Sequence, residues 1–274
     1  MSNILKKTTK NYCTHGKRRL HYQTYGRGSE VILAFHGYGQ DHQVFYEAEK
    51  LLGGQYTIYS FDLFFHGESS WLSRHQTLSI DEWCTIVKNF LRTQRITRFS
   101  VMGYSMGGRF ALSLIGCFAK HINQLILIAP DGIRSSPWYQ LASTTLFGNY
   151  LLRTIVNRPF LFFNIVMLAR YGKFINRGVL KFAVEQMDTR RKRYAVYCRW
   201  TVLRAIKPNL STVVRECNRQ SINVKIYLGQ YDQIVKKTSV ERLHRKLTFS
   251  KLYNLSVGHN KIVREAIIHL SNRS

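Results

Sequence analysis

The stretch at 101–112, VMGYSMGGRFAL, constrains this chain more than any other. An apolar run ends at Tyr104 and a helix-like period begins at Met106, with Ser105 at the junction and Gly103 and Gly107 flanking it. A strand that turns directly into a helix passes through a backbone conformation that side chains resist, and the glycines let the two segments approach closely. A serine there projects its hydroxyl from the edge of a sheet, beside the positive end of a helix. It is a candidate nucleophile if the rest of the chain supplies a sheet, a base, an orienting acid and donors for an oxyanion.

The sheet is legible. Short β-type runs at 19–25, 31–36, 56–63, 99–104, 124–130, 223–229 and 251–257 alternate with helical periods near 41–52, 79–94, 105–119, 236–247 and 260–271. This alternation predicts an α/β fold, a mostly parallel sheet flanked by helices. Ile80, Trp83, Val87, Phe90 and Leu91, for example, share one face of a helix. With 274 residues, 45% of them hydrophobic, the chain can bury one large core. Between 132 and 208 the alternation stops and helical stretches crowd together. We expect an inserted helical cap over 132–208, leaving 1–131 and 209–274 as the core. The insertion holds 14 Lys and Arg against Glu185 and Asp188, so it carries +12 of the net +26, interleaved with 13 aromatic residues. One reading packs the aromatics inward and solvates the cations. The other turns the basic face toward an anionic substrate or surface.

The parts a serine nucleophile needs follow other strands. Asp232 lies in LGQYDQIV after the run at 223–229, and His259 in SVGHNKIV after the run at 251–257. Open α/β sheets gather their catalytic groups at this edge. Asp131, in IAPDGIR, follows 124–130 and is an alternative acid. The loop His36-Gly37-Tyr38-Gly39 can aim the Tyr38 amide at the serine, forming an oxyanion hole with the Met106 amide. Asp62, His66 and Gly67 in FDLFFHGESS read as residues that hold a loop together. Arg109, one helical turn beyond Ser105, is either a packing cation or a clamp for a substrate carboxylate or phosphate.

The G-x-S-x-G pattern, the His-Gly loop and the chain order Ser105, Asp232, His259 together resemble the α/β-hydrolase superfamily, over roughly 18–130 and 209–271. The resemblance implies Ser105 as nucleophile, Asp232 as acid, His259 as base, and Tyr38 with Met106 as oxyanion donors. It implies hydrolysis of a carboxylic ester or thioester, without metal or organic cofactor. Two departures stand out: Phe65 replaces the glycine of the usual D-x-x-G-H-G-x-S loop, and NKIVREAI replaces the usual Glu/Pro-containing stretch after the last histidine. GYSMGGR also resembles the menaquinone-pathway SHCHC synthase. That resemblance implies an alternative, a lyase using the same triad for proton abstraction from an anionic substrate held by Arg109. A third reading is a non-catalytic basic binding protein. No RNP or zinc-finger motif is present, so nucleic acid is not the expected partner.

The first twenty residues lack a signal-peptide-like apolar stretch, and PFLFFNIVMLA at 159–169 is too short to span a bilayer. The expected location is the cytoplasm, with peripheral contact to an anionic membrane as a further possibility of the charge. The five cysteines are odd in number and lack CxxC spacing, so each is expected to be a thiol and no zinc site is expected.

Overall fold

The computed structural model describes residues 10–72, 76–133, 144–171, 183–235 and 237–272. The chain forms two compact units. One comprises Met1–Ser73, Asp81–Ile133 and Pro208–Ser274, the other Arg74–Ile80 and Arg134–Lys207. Of the expected cap, 134–143 and 172–182 lie outside the described residues.

The first unit is built on one sheet, nine-stranded among the described residues, in the order β1-β2-β4-β3-β6-β7-β8-β9, with β5 paired to β2. The strands are β1 (Asn11–His15), β2 (Arg18–Tyr25), β3 (Glu30–Phe35), β4 (Tyr56–Phe61), β5 (Ser70–Trp71), β6 (Phe99–Tyr104), β7 (Ile122–Ile128), β8 (Asn223–Gly229) and β9 (Ser250–Leu255). Pairing is antiparallel at β1–β2 and β2–β4, and parallel from β4 through β9. Strand order reverses between β3 and β6, which opens a crevice at their carboxyl ends.

The two-residue period of the strands sends alternate side chains to the two faces of the sheet. Ile32 and Ala34 of β3 and Met102 and Tyr104 of β6 join a buried cluster with Phe45, Leu52, Ile262 and Ala266. Phe45 sits in a 3-10 turn, Leu52 in α1 (Glu47–Leu52), and Ile262 and Ala266 in α8 (Ile262–Ser271). On the other face Phe35 packs edge-on against Trp83, which packs against Phe110. These two rings belong to α2 (Ile80–Thr93) and α3 (Met106–Phe118). Helix α3 packs in turn against α7 (Leu210–Arg219).

The expected helix at 41–52 is a 3-10 turn followed by α1. Strand β1 was not anticipated from the sequence: it is a polar edge strand, reached through a hairpin in which Gly16 has φ +56°. The cysteine reading needs correction. Cys84 and Cys117 form a disulfide with Cα atoms 6.4 Å apart, while Cys13, Cys198 and Cys217 are buried thiols. The bonded pair is separated by 33 residues and brought together by the adjacency of α2 and α3, which no local spacing announces.

In the second unit, α4 (Leu146–Asn157) is capped by Thr145, whose hydroxyl accepts from the Gly148 amide. Pro159 opens α5 (Pro159–Tyr171), the position where proline's fixed φ and missing N–H cost nothing. Thr189 caps α6 (Arg190–Val202). Helix α4 lies on α6, where Tyr197 donates to Asn149 and Arg193 donates to the Val156 carbonyl. Among the described residues no single helix is long and apolar enough to cross a membrane. Phe147–Asn157 and Pro159–Leu168 pass that test only together, and are bent by 100° at their junction.

Candidate active site

All parallel strands deliver their carboxyl ends to one edge of the sheet, and the connections there build the site. After β6 the chain makes the turn at Ser105, whose φ of +48° and ψ of −117° are strained for a residue with a side chain. The turn is over-determined by its surroundings. The Ser105 amide donates to the Ile128 carbonyl, and the Ser105 carbonyl accepts from the amides of Gly108 and Asp131. The flanking glycines are sterically required: a Cβ at Gly107 would sit 2.0 Å from the Phe35 carbonyl oxygen, and one at Gly103 would strike the backbone of Gly107 and Gly108.

The loop after β8 carries Asp232 and the loop after β9 carries His259. They are stitched together by bonds from the Gln230 amide to Leu255 and from the Tyr231 amide to Val257. His259 Nδ1 lies 2.7 Å from Asp232 Oδ2, and Nε2 lies 3.1 Å from Ser105 Oγ. An ionised carboxylate can only accept, so Nδ1 carries the ring proton and Nε2 presents its lone pair to the serine. Asp232 Oδ1 accepts from the amides of Ile234 and Val235. Burial acts to raise the Asp232 carboxyl, and the bond and charge of His259 together with these amides overcome it and hold the group below the ordinary carboxylate range.

Asp131, the alternative acid, pairs instead with Arg109. An anionic substrate group would therefore have to share the Arg109 guanidinium with that carboxylate. Met106 is the first residue of α3, where an amide has no intrahelical acceptor. Tyr38 stands in a loop braced on both sides. His36 Nε2 accepts from the Leu63 amide and its Nδ1 donates to the Gly37 carbonyl, while His66 Nε2 accepts from the Gly39 amide.

Asp62 is fully buried and accepts four hydrogen bonds, from the Nδ1 atoms of His21 and His42 and from the amides of His42 and Glu68. Burial alone would raise its carboxyl; these donors pull it far below the usual range. The same three side chains are of metal-ligating type, with donor atoms within 4.8 Å of one another. As they stand, all the acceptor positions of the carboxylate are taken by N–H groups. Phe65 adopts φ +66°, so the loop keeps the left-handed backbone that glycine would otherwise supply there.

One contributor was not visible in the sequence. The buried Tyr104 donates its hydroxyl to the His259 carbonyl at 2.9 Å, and its ring lies 5.3 Å from the imidazole. Its place beside Ser105 is written in the motif; its bond to a residue 155 positions away is not.

A family model described as the alpha/beta hydrolase fold matches residues 30–259. Among curated proteins, the pimeloyl-[acyl-carrier protein] methyl ester esterase of Nitrosomonas europaea is 30% identical over 140 residues, covering 49% of this chain and 52% of that protein. The curated relatives of this chain are matched over 30% to 52% of their own length. Among solved structures, a thermophilic esterase from Thermogutta terrifontis superposes with a TM-score of 0.70 at 16% identity, covering 97% of this chain and 96% of that one. The thioesterase domain from the curacin biosynthetic pathway gives 0.62 at 18% identity, covering 97% and 98%. The match of the family model across most of the chain makes this protein a member of the α/β-hydrolase family.

Proposed function

We propose that the protein is a serine hydrolase that cleaves a carboxylic ester or thioester through an acyl-enzyme. The observation that carries this reading is the continuous line from Asp232 through His259 to Ser105, with separations of 2.7 and 3.1 Å. Ser105 Oγ attacks the carbonyl carbon as its proton passes to His259 Nε2. Asp232 keeps the ring in the required tautomer and stabilises the imidazolium. The amides of Tyr38 and Met106 receive the oxyanion. His259 then protonates the departing alkoxide or thiolate. A water deprotonated by His259 attacks the acyl group, the carboxylic acid leaves, and Ser105 regains its proton.

The relatives named above act on a methyl ester of an acyl carrier protein or bear the name thioesterase, which supports an acyl substrate. The aromatic residues of 132–208 favour an apolar acyl portion, and the net charge of +26 an anionic head group or membrane. The lyase alternative asks Arg109 to clamp substrate, and its ion pair with Asp131 favours hydrolysis. The Cys84–Cys117 disulfide, a bond rare where thiols are kept reduced, weighs against the cytoplasmic location expected from the sequence. Acid-quenched alkylation of Cys84 and Cys117 in cells reads the compartment, and an oxidised pair would move the enzyme to an oxidising one.

Hydrolysis of p-nitrophenyl esters of increasing acyl length tests the reaction. Turnover should vanish in Ser105→Ala. A folded wild-type protein that cleaves none of the series would overturn the proposal.

A further inference from the structure

We propose that helices α4 and α5 are a docking element for an anionic lipid surface, and that the enzyme meets its substrate there. The second half of this statement rests on the hydrolase reading; the docking itself does not. Seven of the fourteen exposed large hydrophobic residues among those described fall between 147 and 168. On α4, Phe147, Tyr150 and Leu151 recur at i, i+3 and i+4, while Asn149 and Val156 of the same helix face α6. On α5, Phe160, Phe163 and Met167 recur at i, i+3 and i+7, with Leu168 beside them. Both helices thus carry an apolar stripe of the kind that normally faces a core, and here it faces solvent. Tyr150 is 71% exposed and Phe147 73%, too much to be packing residues at the edge of a bundle.

The charge around this stripe selects the occupant. Between Asp131 and Glu185 the chain has seven Lys and Arg and no carboxylate. Arg153 and Arg158 of this set are exposed on and beside α4. Apolar residues exposed on a segment of chain that carries cations and no carboxylate fit the boundary of an anionic membrane, where aromatic rings enter the headgroup region and cations are drawn to the anionic lipids. A second copy of the same chain would bring the same positive charge to the contact and be repelled. An acidic protein or polymer would satisfy the cations and leave the phenylalanines without purpose.

The geometry limits docking to the interface. With 12 and 13 residues, α4 and α5 are each about 18–20 Å long, short of the roughly 30 Å hydrocarbon core. The 100° bend at their junction keeps them from forming one straight span.

Flotation with vesicles of phosphatidylcholine, alone or mixed with phosphatidylglycerol, tests the proposal with the full chain in its Ser105→Ala form, so that binding is read without turnover. Binding should require phosphatidylglycerol, weaken as salt rises, and fall at least about tenfold in Phe160→Glu/Phe163→Glu. Phe160→Trp, a conservative surface change, guards against a misfolded charge variant. Its emission, with wild type subtracted, should shift to the blue on vesicles and be quenched by brominated acyl chains. Equal binding to neutral vesicles, undiminished binding by the glutamate variant, or bound Phe160→Trp without shift or quenching would overturn the proposal. So would binding to heparin without binding to vesicles, which would point to an acidic polymer. Vesicle binding by a wild-type protein that cleaves no ester would defeat the hydrolase reading and leave docking standing. Ester turnover without vesicle binding would do the reverse.

Discussion

Helix α2 and helix α5 both place large apolar residues at helical spacing, and those residues meet opposite fates. Trp83, Ile86, Val87 and Phe90 of α2 recur at i, i+3, i+4 and i+7, and all are at most 1% exposed. Phe160, Phe163 and Met167 of α5 follow the same period and stand in solvent. The stripe on α2 lies against Phe35 and Phe61 of the sheet and Phe110 of α3. Periodicity therefore specifies a helix and one apolar face, and the rest of the fold decides whether that face becomes core or contact surface.

The largest effect should come from the reacting end of the core unit. Ser105→Ala is expected to lower kcat for a p-nitrophenyl ester by about 10⁴-fold or more, and Asp232→Asn by about 10⁴-fold through loss of the correct imidazole tautomer. Retention of more than a tenth of the wild-type rate by either variant would remove that residue from the mechanism. Next in size is the pair of helices itself. Trp83→Ala should cost about 3–5 kcal/mol in urea unfolding, whereas Phe160→Ala should stay within about 0.5 kcal/mol. Similar losses at both positions would mean that α5 is packed as α2 is, and the contrast between them would collapse.

A smaller effect should come from the crosslink between α2 and α3. Replacing Cys84 and Cys117 with serine is expected to lower stability by about 2–4 kcal/mol, seen as a lower thermal midpoint that reductant reproduces in wild type. The smallest concerns pH. Asp62 is held below its ordinary value of 3.8, so its contribution is complete above that value and fades as pH falls toward the folded one. The bond to Asp62 raises His42 above 6.5 against the effect of burial, so that contribution is complete below 6.5 and is lost as pH climbs through the raised value. The stability difference between wild type and Asp62→Asn should accordingly be greatest between about pH 4 and 6.5. A difference that does not vary with pH would show that His42 is not coupled to this carboxylate.

Local chemistry explains which parts could be read from the chain. The turn at Ser105 has a short-range cause, a strand meeting a helix between two glycines, and the places of Asp232 and His259 follow from counting strands to one edge. The choice between Asp131 and Asp232 needs three dimensions. Both follow strands, and only the structure shows Asp131 held by Arg109 and Asp232 beside His259. Phe65 looks like a break in its loop because left-handed backbone favours glycine, yet its φ of +66° shows the residue adopting that conformation. The Cys84–Cys117 bond, the Tyr104 hydroxyl on the His259 carbonyl and the bonds of His21 and His42 to Asp62 all join residues distant in sequence. The exposed stripe on α4 and α5 escapes the sequence for another reason: hydrophobic period and burial are separate quantities.

The most direct test of the account is to treat the folded protein with a fluorophosphonate and locate the adduct by mass spectrometry. One adduct on Ser105, absent from Ser105→Ala and slowed in Asp232→Asn, is the expected result. No adduct, or one on any other residue, would contradict the assignment of Ser105 as an activated nucleophile.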